Sequence, residues 1–301
     1  MDRRDFLALS TFFTGAALSP SIFGKAIAAS QLQERREAGF PPAASQVILR
    51  ADAPQYHEAE AFLQWYDAQL RASQQPLVVA PETAIPLLPR HLPEGYWSGL
   101  QAHFAQPGRP VALVGLPLGS LDQGYSNSVV ALGPQGAVPY RYDKSHLVPF
   151  GEYVPLEEQL RGLIEFFNLP TSFIHLGPQD QHGLIAKGVR ITPAICYEIV
   201  YPDLIAQAAK ETQVLLSVNN LGWFLDSIQS KQFMQMAQMR ALETGRYLVY
   251  STNNGPSAII DNHGKILSHS DSFKAQTFTG VIYAVKDWTP FMIYGSGPLA
   301  V

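Results

Sequence analysis

Short apolar runs of strand length alternate with longer helical patterns along most of the chain, and this alternation constrains the fold more than any other feature. The run at 214–218 has the length of a buried strand, and helical segments at 202–210 and 230–243 flank it. The first segment has a proline in its first turn and a lysine in its last, and Gly245 follows near the end of the second. The other predicted strands are 46–50, 77–80, 111–116, 128–132, 247–251, 257–260 and 280–284, and a further helix carries Ala59, Phe62, Leu63, Tyr66 and Leu70 on one face. This order of elements predicts an α/β fold in which helices cover the sheets.

The composition indicates a chain with a large core. Apolar residues make up 47% of the 301 residues and aromatic residues 11%, which excludes intrinsic disorder. The 21 Lys and Arg residues are outnumbered by 25 Asp and Glu and are scattered, so we expect no nucleic-acid partner. The single cysteine, Cys196, excludes an intrachain disulfide and a thiolate metal cluster. The histidines show no H-E-x-x-H pattern and no paired spacing, so we expect no metal site, and no cofactor-binding motif is present.

The first thirty residues have the order of an export signal. Arg3 and Arg4 precede an uncharged run at 6–24, and an A-x-A cleavage pattern lies at 26–28. The D-R-R-D-F-L start is similar to the twin-arginine signature, so we predict an export signal at 1–30 and a periplasmic or otherwise exported protein. The alternative is an uncleaved anchor that keeps the protein associated with a membrane through this segment. The polar stretch 31–45 is the predicted linker to a single domain at 46–301.

Cys196 follows an apolar, strand-like run in the sequence I-T-P-A-I-C-Y-E-I. A lone cysteine is more often a small buried hydrophobic residue than a reactive group. Glu198 lies two residues further on, however, and a carboxylate is unfavourable in a plain core strand because a buried charge must be paired. A reactive cysteine needs a nearby base or cation to form its thiolate. This neighbourhood makes Cys196 a candidate nucleophile.

Two further charged residues lie where α/β proteins carry functional groups. Glu82 directly follows a buried strand in V-V-A-P-E-T-A-I, although an ordinary loop carboxylate is the alternative. Lys144 lies in the segment at 142–155, which also holds Glu152 among aromatic residues and prolines. A solvated loop would leave the apolar residues of this segment in water. This mixture of charged and apolar residues therefore favours the wall of a pocket over a solvated loop.

Three motifs, in this order, carry a resemblance to a known family: P-E-T-A-I-P around Glu82, Y-D-K-S-H-L-V-P-F-G-E-Y-V-P-L around Lys144, and I-C-Y-E at Cys196. They resemble the carbon–nitrogen hydrolase (nitrilase) superfamily, and within it the periplasmic catalytic domain of the apolipoprotein N-acyltransferase branch. The similarity covers 46–298 and continues through N-N-L-G-W-F and S-T-N-N-G. This resemblance implies a four-layer α-β-β-α sandwich.

The resemblance also implies a role for each residue of the motifs. Glu82 would be the general base, and Cys196 the nucleophile that holds the acyl group as a thioester. Lys144 would stabilise the tetrahedral oxyanion together with the backbone N–H of Tyr197, and Glu152 would orient or assist the lysine. The acidic residue that follows the cysteine in this branch matches Glu198. The candidate substrate-binding residues are Tyr197, Glu198, Asn219 and Trp223.

The substrates implied by the resemblance remain open between two enzyme classes. In the acyltransferase branch the acyl donor is a phospholipid, and the acceptor is the α-amine of a lipid-modified N-terminal cysteine. That branch carries the domain between transmembrane helices, which this sequence lacks, and its N-D-A-W-F-G stretch is N-N-L-G-W-F-L here. The first alternative is a soluble amidase in which water attacks the thioester of a small amide, and the second is a binding module with a relic triad. The resemblance allows peripheral membrane contact and assembly into an oligomer.

Overall fold

The computed structural model describes residues 56–120, 122–134, 140–149, 151–153, 174–224 and 227–297. The predicted export signal at 1–30, linker at 31–45 and strand at 46–50 lie outside the described residues. The α-helices are α1 (Tyr56–Ala72), α2 (Tyr96–Ala105), α3 (Pro202–Ala209), α4 (Gln229–Thr244) and α5 (Pro290–Tyr294). The strands are β1 (Leu77–Val79), β2 (Val111–Ser120), β3 (Gly124–Leu132), β4 (Arg141–Asp143), β5 (Leu184–Ala186), β6 (Val189–Ile195), β7 (Val214–Asn219), β8 (Tyr247–Thr252), β9 (Ala258–Ile260) and β10 (Ile266–His269). Short 3-10 helices lie at Pro89–His91, Cys196–Val200 and Leu221–Phe224.

The strands form two sheets with different topologies. The first has the order β1-β2-β3-β4; β1 is parallel to β2, with Leu77 opposite Val111, and the other pairs are antiparallel. The second has the order β10-β9-β8-β7-β6-β5, and β6, β7 and β8 are parallel. Parallel strands end at a common edge, so the residues that follow β6 and β7 lie close together.

The faces of β2 show how the sheets are layered. Ala112, Val114 and Leu116 pack with α1 and α2 in one hydrophobic cluster. Val111 and Leu113, which point to the opposite face, belong to a second cluster that holds the residues of β6 and β7 and of the helices α3 and α4. The layers are therefore α1 and α2, the first sheet, the second sheet, and α3 and α4. The predicted α/β class and four-layer α-β-β-α arrangement are confirmed.

Most of the predicted elements are present, and their end signals act as expected. Pro202 occupies the first turn of α3, and Gly245 caps α4 with a φ of +61°, where its N–H donates to Ala241 O and Leu242 O. The strand predicted at 280–284 is wrong. Ile282 packs against the core, but Val281 and Tyr283 are 65% and 61% exposed, and the segment pairs with no described strand of either sheet. Within the described ranges, no helix combines the length and the apolar character that crossing a bilayer requires.

Candidate active site

Glu82 lies on a tight loop that follows β1. Ala80 donates its N–H to Leu113 O at 2.8 Å, and the chain leaves the sheet at Pro81. The loop lies so close to β2 that a Cβ atom on Gly115 would be 2.4 Å from the carbonyl oxygen of Pro81. The glycine therefore allows this close approach, which any larger residue would prevent. In this position the Glu82 side chain is fully buried.

Two amide donors, one from each sheet, hold the Glu82 carboxylate. Nδ2 of Asn127, on β3, donates to Oε1 at 2.6 Å. The backbone N–H of Asn220, which follows β7, donates to Oε2 at 2.5 Å. Hydrogen bonds to a charged acceptor are short and strong, so together they fix the orientation of the carboxylate.

Lys144 directly follows β4, and its ammonium group is fully buried between two carboxylates. Nζ lies 2.7 Å from Oε1 of Glu152 and 3.7 Å from Oε1 of Glu82. The other oxygen of Glu152 accepts from the backbone N–H of Val148 at 2.8 Å, so the partner of the lysine is itself held in place. A buried ammonium is stable only with such compensation.

Cys196 begins a 3-10 helix immediately after β6, at the edge where Asn220 follows β7. Its φ of +52° lies in the left-handed region, which costs a non-glycine residue on the order of 1–3 kcal/mol. This backbone conformation turns the chain out of the sheet at Cys196. The thiol is free and buried, and the charges of Glu82 and Lys144 both act on its pKa. The two sheets thus bring the glutamate and the cysteine into one buried cluster.

The charges of this cluster determine where its protons lie. Burial raises the pKa of the Cys196 thiol, and the Glu82 charge adds to this effect while Lys144 opposes it. Burial also raises the pKa of the Glu82 carboxyl, against the effect of Lys144. Burial alone would lower the pKa of Lys144, but the charges of Glu82 and Cys196 outweigh it and raise that pKa. The lysine therefore stays an ammonium, and a proton can pass from the thiol to a carboxylate of raised basicity beside a fixed cation.

Glu198 is fully buried, and five donors from the protein surround its carboxylate. Oε1 accepts from the N–H and hydroxyl of Ser145 at 2.6 and 2.7 Å and from the N–H of His146 at 3.2 Å. Oε2 accepts from the N–H of Ile195 at 2.7 Å and the hydroxyl of Tyr142 at 3.0 Å. Glu198 thus joins the loop that follows Lys144 to the residue that precedes Cys196. This geometry makes it a positioning residue for both.

The other three predicted substrate-binding residues have different surroundings. Asn219, the last residue of β7, is fully buried, and its Nδ2 donates to Ser217 Oγ at 3.0 Å. The ring of Tyr197 packs edge-on against that of Tyr201, with 5.4 Å between the centroids. The backbone of Trp223 lies in a 3-10 helix, but its side chain lies outside the described residues. Contact of these residues with a substrate stays a prediction.

Of the sequence-predicted residues, the structure brings Glu82, Lys144, Glu152 and Cys196 into one cluster. Sequence reasoning missed Asn127 and Asn220. The signal for Asn127 was weak, because it lies between Ser126 and Ser128 in the polar part of β3, just before the predicted segment 128–132. The contact of Asn220 is made by its backbone and left no signal, although its buried Nδ2 has no hydrogen-bond partner among the described residues. No cluster of three or more His, Cys, Asp or Glu in the described part of the chain is arranged to hold a metal ion.

Comparisons with known proteins show the family to which the chain is similar. The carbon-nitrogen hydrolase family matches residues 40–286. The chain is 44% identical over 234 residues to an apolipoprotein N-acyltransferase of Azotobacter vinelandii. The aligned residues cover 76% of this chain and 44% of the relative. It is 42% identical over 239 residues to the apolipoprotein N-acyltransferase of Pseudomonas syringae pv. tomato, covering 78% and 46%.

The fold is also similar to that of a solved carbon-nitrogen hydrolase structure. A carbon-nitrogen hydrolase from Helicobacter pylori G27 superposes with a TM-score of 0.51 at 18% identity, over 76% of this chain and 84% of the other. The chain spans about half the length of the curated relatives it matches. The length of the family match and the identity to these relatives establish that the chain belongs to the carbon-nitrogen hydrolase family.

Proposed function

We propose that this chain transfers an acyl group through a thioester on Cys196, from a phospholipid to an amine, as an apolipoprotein N-acyltransferase-type enzyme. The observation that carries the proposal is that Glu82, Lys144 and Cys196 are buried in one cluster, with Lys144 Nζ 3.7 Å from the Glu82 carboxylate. The 42–44% identity to relatives named apolipoprotein N-acyltransferase supports the choice of reaction. The phospholipid donor and the lipid-modified cysteine acceptor are part of the proposal.

In the acylation step, Glu82 takes the proton of the Cys196 thiol as Sγ attacks the ester carbonyl of the donor. The Sγ–C bond forms, and the tetrahedral oxyanion is stabilised by the Lys144 ammonium and the backbone N–H of Tyr197. Collapse of this intermediate breaks the ester C–O bond. The departing alcohol takes the proton from Glu82, which leaves the thioester and a carboxylate.

In the second step, the amine of the acceptor attacks the thioester and loses a proton to Glu82. The C–S bond breaks, the new amide leaves, and the proton returns from Glu82 to the thiolate. The same carboxylate therefore serves as base and acid in both halves, which suits its two fixed hydrogen bonds from Asn127 and Asn220. Transfer rather than hydrolysis requires that water be kept from the thioester, and the catalytic groups are almost fully buried.

Delivery to the substrate is a separate part of the proposal. We propose that residues 1–30 direct export to the periplasm and that this segment, if retained, associates the enzyme with the membrane. The support is the order of charged residues, apolar run and A-x-A pattern in the sequence. Cell fractionation of the full chain and of an Arg3→Lys/Arg4→Lys variant tests it. We expect the variant to accumulate in the cytoplasm, and equal export of both would contradict a twin-arginine route.

Intact-mass spectrometry tests the acyl-enzyme. The full chain is incubated with phosphatidylethanolamine in detergent and, in parallel, with simple amides. We expect a fatty-acyl mass increase in the wild type that is absent in Cys196→Ala, and because Cys196 is the single cysteine, the comparison assigns the adduct without mapping. Addition of a peptide with an S-diacylglyceryl N-terminal cysteine should then remove the adduct faster than water does.

Three other outcomes would decide against the proposal. Turnover of amides without acylation by phospholipid would make the chain an amidase. Neither reaction, in a protein that is folded by circular dichroism, would make it a binding module. An adduct that persists in Cys196→Ala would show that the thiol is not the acceptor.

A further inference from the structure

A cavity of about 340 Å³ lies at the edge of the second sheet opposite the catalytic cluster. It is lined by Arg190 at the start of β6, by Lys210 and Glu211 after α3, by Arg246 before β8, and by Lys286. Cys196 follows the other end of β6. A strand of the length of β6 rises about 20 Å, so this cavity is separate from the active site.

Four cationic side chains and a single carboxylate line the cavity. Among the described residues, none of the four cations has a carboxylate within 4.0 Å, in contrast to Lys144 in the active site. The one acidic residue, Glu211, instead lies 3.5 Å from a nitrogen of His182. A chain with a formal net charge of −4 thus collects unpaired positive charge at one concave site.

Arg246 gives this site a fixed centre. Its side chain is 1% exposed, yet every acceptor it meets is an uncharged carbonyl. Nε donates to Thr212 O at 2.9 Å, Nη1 to Asp287 O at 2.6 Å, and Nη2 to Ala209 O at 3.3 Å and Lys286 O at 3.5 Å. These bonds leave one N–H of Nη1 for which the described residues provide no acceptor. The charge of Asp287 acts on this guanidinium, but among the described residues no carboxylate lies within 4.0 Å of it. A buried guanidinium without a direct ion pair is costly, so an anion that enters the cavity would be favoured.

We propose that this cavity binds a phosphate group. Arginine and lysine together are the donors that proteins use for phosphate, because the guanidinium supplies directed hydrogen bonds and the ammonium supplies charge. A phosphate group can carry two negative charges, whereas a carboxylate carries one. Phosphate therefore matches a site with a surplus of three positive charges better than a carboxylate does. The volume is at the lower end of small-ligand pockets, which fits free phosphate or a small phosphate ester.

The position of the cavity limits what binding can do. The bound group would lie at the junction of α3, β8 and the segment around Asp287, which Arg246 already ties together. We therefore expect phosphate to stabilise the fold by mass action rather than to take part in catalysis.

The test is binding of inorganic phosphate to the full chain, measured by calorimetry and by the thermal midpoint at constant ionic strength. The variant Lys210→Gln/Lys286→Gln removes two cations of the cavity, and Lys231→Gln/Lys265→Gln removes the same charge from exposed positions elsewhere. We expect a saturable rise of the midpoint in the wild type and the control, and a loss of affinity of at least about tenfold in the cavity variant. Arg190→Gln should weaken binding in the same way.

Absence of a saturable effect in the wild type would overturn the proposal, as would an equal loss of affinity in both double variants. A second arm identifies the source of the phosphate group. Vesicles of phosphatidylglycerol and phosphatidylcholine are floated with the wild-type chain, with and without inorganic phosphate. Binding to vesicles that phosphate displaces assigns the site to a lipid headgroup, and phosphate binding without such displacement assigns it to a soluble compound.

Discussion

Replacement of Glu198 by glutamine separates the positioning role of this residue from its charge. The glutamine oxygen can keep the three hydrogen bonds from Ser145 and His146. Its NH₂ group then faces Tyr142, whose hydroxyl can turn and accept, and the N–H of Ile195, which cannot. One buried backbone N–H therefore loses its acceptor, next to Cys196, the proposed nucleophile.

The expected loss can be estimated from these contacts. A buried donor left without an acceptor costs about 1–3 kcal/mol. The three hydrogen bonds from Ser145 and His146 weaken because the amide oxygen that accepts them carries no formal charge, but the amide is also cheaper to bury than the carboxylate, and the two effects oppose each other. We expect Glu198→Gln to lower the free energy of unfolding by about 1–3 kcal/mol. Because Ile195 directly precedes Cys196, we also expect slower acylation.

Urea unfolding followed by tryptophan fluorescence measures the first effect, and the rate of acyl-adduct formation measures the second. The matched control is Asp67→Asn, the same carboxylate-to-amide change at an i,i+4 ion pair with Arg71 on α1. The control should change the free energy of unfolding by no more than about 0.5 kcal/mol. If Glu198→Gln is as stable and as active as this control, the assignment of Glu198 as a positioning residue is refuted.

Three further predictions concern the catalytic loops. The hydrogen bond from Asn127 lowers the pKa of Glu82, so Asn127→Ala should raise it and move the acidic limb of the acylation profile to higher pH; an unchanged profile would contradict this. Lys144→Met leaves two buried carboxylates without their cation and should cost about 3–5 kcal/mol near neutral pH. Part of that loss should be recovered at about pH 5, because Glu82 then keeps its proton to a higher pH in the folded than in the unfolded chain, and a loss independent of pH in urea unfolding would refute this. Gly115→Ala places a Cβ 2.4 Å from Pro81 O, so it should displace the Glu82 loop and slow acylation at a cost of about 1–3 kcal/mol in urea unfolding; a wild-type acylation rate would speak against it.

Local patterns were sufficient to predict the elements that carry their own signals. β7 and α4 could be predicted because a buried apolar run and a helical segment followed by Gly245 are properties of adjacent residues. The strand predicted at 280–284 failed because a short run of strand-forming residues does not supply a pairing partner, and a strand needs a neighbouring strand. That neighbour is set by tertiary structure.

The candidate site likewise contains residues that local motifs indicate and contacts that they do not. Glu82, Lys144 and Cys196 could be predicted because each stands in a local motif. The role of Glu198 could not be predicted, since four of its five donors come from the segment 142–146, more than 50 positions earlier in the sequence. The cationic cavity likewise joins residues from separate segments, none of which has a basic cluster of its own. What escapes prediction is the set of contacts that the docking of distant segments creates.

The division of the proposed catalytic groups between the two sheets also has a kinetic consequence. The bond from Asn220 to Glu82 joins positions 138 residues apart, and closing a loop of that length costs about 4 kcal/mol of chain entropy before a constant term. A contact of such high sequence separation forms late on the folding pathway, because many other segments must already be in place. The ability to form an acyl-enzyme would therefore appear only when the sandwich closes, so the catalytic reaction itself can serve as a probe of the last step of folding.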